Sequence, residues 1–208
     1  MVRFTHKIEN RNGEYHCVGH SMLKLCQQQD CEPSREDIRV NWHYRGGARL
    51  REIVHSIEHL MQENTNKDLK IILHCWQNNM RTLTTDDIDW AFDFVSNLIH
   101  RYGGRHRVIF SECDFPPELL QEGFGQKIRT MNEYITKRNR ENGFEAPLKP
   151  WKVATHMLGN RIQIKPASWQ EEVEWTEQGP RSRGYHISNS RAKLYIDRFR
   201  SYFWHNFN

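Results

Sequence analysis

Two short stretches concentrate residues that bind anions. Between Arg35 and Arg51 stand five arginines (Arg35, Arg39, Arg45, Arg49 and Arg51) against Glu36 and Asp37, with Trp42, His43 and Tyr44 interleaved. Between Arg181 and Arg200 stand five more arginines and Lys193 against Asp197 alone. A guanidinium pairs a phosphate through two parallel hydrogen bonds and stacks on flat rings. Arginine among aromatics therefore suits the phosphates and splayed bases of unpaired RNA. Runs of arginine also form solvated faces and local ion pairs, for which Glu36, Asp37 and Asp197 are partners, and charge alone does not separate the two readings.

The twelve histidines invite a metal, but their spacing assembles no site. His55 and His59 stand at i, i+4, which can chelate zinc on a helix. They share a polar face with Arg51 and have no third ligand in register, so a solvent-facing pair is expected. His16 and His20 flank a predicted strand end and belong to no recognisable ligand set. Neither a metal nor a cofactor is expected. The five cysteines are odd in number and contain no CxxC pair, which reads as reduced thiols of a cytosolic or nuclear protein. Cys17, Cys75 and Cys113 fall in predicted strands, where burial leaves a thiol inert.

At 208 residues, with seven Trp, seven Tyr and ten Phe, the chain can bury one sizeable core without disulfides. Residues 1–12 read as an arm or linker and residues 13–208 as a single domain. A net charge of +4 leans toward an anionic partner. No apolar run approaches the ~18 residues of a membrane span. The first residues lack a signal-peptide layout, so a soluble intracellular protein without a membrane partner is expected.

The elements that must position these side chains alternate between short β-rich runs and helical patterns. That alternation marks βαβ units around a parallel sheet. Strands are predicted at 15–18, 38–42, 70–75, 107–112 and 151–156. Helices are predicted at 48–64, where Leu50, Ile53, Val54, Ile57 and Met61 recur at helical spacing, and at 86–101, after Thr84 and Thr85 as caps. A third covers 126–141 and stops at Asn142-Gly143. The last covers 190–204, with Ala192, Tyr195, Ile196, Phe199, Tyr202 and Phe203 inward, and Arg191, Lys193, Asp197 and Arg200 largely on the other side. Residues 158–182 are expected to be irregular. Within them Ser168-x-x-Glu171 reads as a capping box opening a short acidic helix, and Trp169 and Trp175 as anchors for the loop.

Four blocks in this framework resemble those of the SGNH hydrolases. Gly19-His20-Ser21 ends the first strand, as that family's Gly-Asp-Ser block does. Tyr44-Arg45-Gly46-Gly47 follows the second strand like the glycine block. Cys75-Trp76-Gln77-Asn78-Asn79 matches the Gly-x-Asn-Asp block at Asn78, and Arg183-Gly184-Tyr185-His186 matches Asp-Gly-x-His at its Gly and His. The resemblance implies a three-layer α/β/α sandwich around a central parallel sheet of about five strands. It places the second strand at a sheet edge and brings the blocks holding Arg45 and Arg183 together.

The resemblance also implies roles for acyl transfer: Ser21 as nucleophile, His186 as base, Gly46 and Asn78 as oxyanion donors. The aspartate that would orient the imidazole is replaced by Arg183, whose charge opposes the imidazolium. Neutralising the aspartate costs triad enzymes roughly 10⁴ in rate, and reversing its charge should be no kinder. These positions therefore read as vestigial and the chain as a non-enzyme. Trp76 is expected to crowd the substrate's place, and His20 and Asn79 replace acidic neighbours. Glu112 or Asp114 would be a relocated acid, were activity retained, while Ser21 has the plainer reading of satisfying backbone at a strand–helix turn.

Within this fold the chain resembles, over essentially its whole length, the OSK domain family, the C-terminal domain of an insect germ-plasm organiser. That resemblance implies no hydrolase activity and no small-molecule substrate. It implies binding to the 3′ untranslated regions of germ-plasm messenger RNAs, other granule proteins as partners, a cytoplasmic place in ribonucleoprotein granules, and a separate upstream domain. RNA contact is expected first at Arg39, Arg45, Arg181 and Arg183, then at Arg49, Arg191 and Lys193. Two competing functions are a residual serine esterase or acyltransferase using Ser21 and His186, and a scaffold whose basic face meets an acidic protein.

Overall fold

Four short strands form the centre of the molecule, in a computed structural model that describes residues 14–30, 38–158, 161–176 and 178–207. The side chains of residues 172, 175 and 181–184 lie outside that description, as do the expected arm at 1–12 and Arg35. β1 (Tyr15–Gly19), β2 (Val40–Tyr44), β3 (Lys70–His74) and β4 (Arg107–Phe110) pair in parallel in the order β2-β1-β3-β4. Parallel neighbours need a crossover. It is supplied by α1 (Met22–Gln29), α2 (Leu50–Glu63) and α3 (Thr85–Arg101).

Successive side chains of a strand face opposite ways, so the sheet feeds two cores. Ile71 and Leu73 enter one layer with Val54 and Ile57 of α2, Val95 of α3, Leu119 of the short α4 (Pro117–Gln121), and Ile128 and Ile135 of α5 (Gly125–Glu141). Ile72 enters the other with Met22 and Leu23 of α1 and Tyr195, Phe199 and Phe203 of α6 (Asn189–Phe207). The result is the expected α/β/α sandwich, with β2 at an edge. α3 begins where its cap was read: Thr84 accepts from the Asp87 amide at 3.2 Å, and Asp87 accepts from the Thr84 amide at 3.0 Å. Cys17, Cys26, Cys75 and Cys113 are free and buried, and burial pushes the thiols of Cys17, Cys75 and Cys113 well up, away from reactivity.

Four expectations fail, each for a physical reason. The fifth central strand at 151–156 is absent. Pro150–Val153 forms a 3₁₀ turn, and β5 (Thr155–Leu158) pairs antiparallel with β6 (Arg161–Ile164) instead. The β4 edge is already occupied by α5. Asn139 donates to the Phe110 carbonyl at 2.7 Å and accepts from its amide at 3.1 Å, and Asn132 treats Cys113 likewise at 3.0 and 2.7 Å. Two side-chain amides thus satisfy the backbone that a further strand would need.

The irregular region is instead two hairpins, the second formed by β7 (Trp169–Thr176) and β8 (Gly179–Ile187). The expected acidic helix at Ser168 is strand. Trp169, Val173 and Trp175 recur at period two, and Gly179 adopts a φ of 108° at the turn, so the strand signal outweighed a nominal capping box. Arg200, expected outside, is buried. It pairs with Asp30, which also accepts the Trp42 indole N–H at 2.5 Å.

Candidate functional site

The carboxyl end of β1 delivers the candidate site. Gly19 passes so close to β3 that a Cβ would stand 2.3 Å from the His74 carbonyl oxygen, so only glycine lets the two backbones meet. Ser21 then opens α1, and its Oγ lies 2.9 Å from Nε2 of His186, brought from β8. That contact joins residues 165 positions apart in sequence. The pair borders a cleft of ≈ 180 Å³ between α1 and the second hairpin, floored by Leu25 and Ile187. Gln28 and Lys24 of α1, and Gln170 and Glu171 of β7, form its sides.

Beside this cleft the Arg45 amide donates to the Gly19 carbonyl at 3.1 Å, which draws the glycine turn after β2 against the end of β1. Gly47 takes the left-handed conformation there, φ 69°. Asn78 and Asn79 hold the far side of this loop. Asn78 Nδ2 donates to the Ala48 carbonyl at 2.7 Å, and Asn79 Oδ1 accepts the first amide of α2, from Leu50, at 2.8 Å. Asn79 is thus a helix cap supplied from another segment. Trp76 does not crowd the site. Its indole is buried, donates to the Ser111 carbonyl at 2.9 Å and packs on Phe110, because the ring completes the core beneath β3 and β4.

A second serine–histidine pair lies deeper. His74 Nδ1 is 2.7 Å from Ser111 Oγ, and its Nε2 is 3.1 Å from Asp114 Oδ2. Tyr195 of α6 donates to the same carboxylate oxygen at 2.5 Å. All four residues are buried. Burial and the adjacent Asp114 carboxylate push the Tyr195 phenol far up, so it stays protonated. Between the two pairs stands buried His20, its ring centroid 4.8 Å from that of His74. Its Nδ1 accepts from the Met22 amide at 3.3 Å. Burial, then the neighbouring His74 and His186, hold its pKa well below the ordinary value, so it is neutral.

The carboxylates proposed as a relocated acid are engaged elsewhere. Asp114 serves His74 and Tyr195, while Glu112 accepts from Thr136 at 2.7 Å and from the Trp151 indole at 2.6 Å. Sequence reading missed the inner cluster because His74, Ser111 and Tyr195 meet only through the parallel register of β3 and β4 and the docking of α6.

The basic residues divide. Arg45 has a side chain 72% exposed, 3.3 Å from the exposed Glu52, with exposed Tyr44 next to it. Arg49 is exposed at the start of α2, and Arg39 is half-buried beside β2. On α6, Lys193 is exposed and Arg191 half-buried. Arg181 and Arg183 belong to β8, with the Arg181 backbone opposite Glu174, and their side chains lie outside the described residues. Lys165 and Arg198 were not foreseen: burial, then the charges of Arg191 and Arg198, lower the Lys165 pKa, which identifies a cluster of three cations. Arg51 lies 4.5 Å over the Trp90 ring. His55 packs on Phe94 and His59 pairs with Glu63 at 3.0 Å, and no group of metal-ligating residues occurs among the described residues.

No protein-family model and no curated protein sequence matches this chain. Solved structures do. The OSK domain of Drosophila Oskar aligns at 11% identity and a TM-score of 0.61, over 90% of this chain and 86% of that one. A putative platelet activating factor from Streptococcus pneumonia aligns at 12% identity and a TM-score of 0.62, over 92% and 84%. A lipolytic G-D-S-L protein from Veillonella parvula aligns at 12% identity and 0.59, over 92% and 98%. At such identities the likeness is one of fold. The chain has the SGNH-hydrolase-like α/β fold, and its structural neighbours include both the OSK domain and G-D-S-L lipolytic proteins.

Proposed function

We propose that this chain is a non-catalytic SGNH-like domain that binds unpaired RNA across the basic rim of the former hydrolase site. The observation that carries this reading is the exposed pair Tyr44 and Arg45, set at the end of β2 opposite Gly19 and tied there by the Arg45–Gly19 hydrogen bond. An exposed ring stacks on a base while the guanidinium meets a phosphate. Arg49 extends the rim along α2. Lys165, Arg191 and Arg198 form a second cation group with no carboxylate in ion-pair reach among the described residues. Arg183 stands in sequence where a hydrolase needs its aspartate, which favours anion binding over base catalysis. The likeness to the OSK domain supports the narrower reading: binding to 3′ untranslated regions of germ-plasm messenger RNAs, with other granule proteins, in cytoplasmic ribonucleoprotein granules.

Fluorescence anisotropy with labelled single-stranded RNA tests the proposal. Affinity should fall with salt at a log–log slope of about −0.7 per neutralised phosphate. Arg45→Glu combined with Arg49→Glu should weaken binding roughly 10-fold or more and flatten that slope, with the melting temperature unchanged. Equal affinity and slope in the double variant would remove the rim from the binding surface.

The Ser21–His186 hydrogen bond favours a second reading, a residual acyl hydrolase. Its test is hydrolysis of p-nitrophenyl acetate: turnover abolished by Ser21→Ala would establish it, and turnover no greater than the buffer blank would dismiss it.

A further inference from the structure

We propose that the cleft beside Ser21 and His186 seats one unpaired nucleobase, an inference that rests on the RNA-binding reading above and assigns that function a subsite. The cleft measures ≈ 180 Å³. That is below the ~300 Å³ at which sites for whole small molecules begin, so it suits a single flat ring. Half-buried Leu25, backed by buried Ile187, offers the apolar surface that a base face needs.

The walls carry two amide side chains, Gln170 and Asn189. Asn189 is held by a hydrogen bond from Gln29 Nε2 to its Oδ1 at 3.0 Å, which leaves its Nδ2 as a donor. Amides carry a donor and an acceptor together, the pattern that reads the polar edge of a base. An acyl chain presents a single carbonyl and matches fewer of these donors and acceptors than a base edge does.

Charge decides which part of a nucleotide enters. Glu171, exposed on β7, lines the cleft and repels a phosphate or carboxylate there, while it accepts well from ring N–H groups and exocyclic amines. Lys24, exposed on α1 at the same cleft, adds positive charge at its edge. The neutral base enters and the charged backbone crosses the rim toward Arg45. Ser21 and His186, bonded to each other, form one end of the pocket and contribute polar groups without any covalent step.

The test uses short single-stranded RNAs in which one nucleotide at a time is replaced by an abasic residue. With the native chain, an abasic residue at the seated position should lower affinity about 10-fold, the scale of losing one bound base. In Gln170→Ala and Glu171→Ala, both at exposed positions, that sensitivity should vanish while the salt dependence persists. Tight, salt-dependent binding that no abasic substitution weakens would overturn the pocket and leave the basic rim standing. Absence of any RNA binding would overturn both, and a melting curve matching the native chain shows that each variant is folded.

Discussion

Two serine–histidine pairs sit within one layer of each other, and they are opposites. The inner set, Ser111, His74 and Asp114 with Tyr195, has the full composition of a hydroxyl, an imidazole and a carboxylate, but every member is buried. Its nitrogens are also reversed relative to a serine hydrolase, with the serine on Nδ1 and the carboxylate on Nε2. The outer pair, Ser21 and His186, borders an open cleft, and the sequence sets an arginine where the acid belongs. One set has the full composition without access; the other has access, with an arginine at the sequence position of the hydrolase acid. Composition alone therefore marks neither as an active site. The inner set is a polar rivet joining β3, the end of β4 and α6, and the outer pair is part of a surface.

If the inner set is a rivet, breaking it should be costly. Asp114→Ala should lower unfolding free energy by about 3 kcal/mol or more in urea titration, since His74 and Tyr195 lose their shared hydrogen-bonding partner in a dry site. Tyr195→Phe keeps the packing and removes one donor, so about 1–2 kcal/mol is expected from the same measurement.

Acid should act on the interior histidines before it acts on the surface. Burial, then neighbouring His16, hold His43 at about 4 against an ordinary 6.5. As pH falls below 6.5 the unfolded chain takes a proton that the folded chain refuses, so stability declines until about pH 4. His20, also held low, adds to that decline. Glu14 is held at about 2 against 4.5, chiefly by its hydrogen bond to His16. Its contribution is present above 4.5 and is lost as pH falls toward 2. Stability measured across this range should fall on the acid side in both windows, and His43→Gln should flatten the upper one.

Smaller effects belong to the outer site. Asn79→Ala removes the remote cap of α2 and should cost about 1 kcal/mol in thermal or urea unfolding, loosening the loop that carries Arg45. Ser21→Ala should change stability by no more than about 0.5 kcal/mol. A loss as large as that of Asp114→Ala would erase the distinction between rivet and surface.

Much of the frame was legible in the sequence because it is local. Thr84 and Asp87 announce the start of α3, and the stripe from Ala192 to Phe203 announces which face of α6 is inward. Arg200 escaped because a buried guanidinium is indistinguishable by type from a solvated one until Asp30 and Trp42 are placed around it. The second hairpin escaped because its acidic residues masked an alternation of only three apolar side chains. The meeting of Ser21 with His186 was reachable only through family resemblance, since no local pattern spans 165 positions. Lys165 joins Arg191 and Arg198 through the fold alone, and the cluster of Lys24, Gln170 and Glu171 at one cleft has no signal in any single segment.

The proposal of RNA binding at the basic rim is tested most directly by ultraviolet crosslinking to single-stranded RNA followed by mapping of the crosslinked peptides. The expected crosslinks lie in residues 42–51, at Tyr44 above all, and in the segments that wall the Ser21 cleft, and they should diminish when Arg45 and Arg49 are reversed in charge. Crosslinks confined to the α3 and α5 face, or none at all, would contradict it.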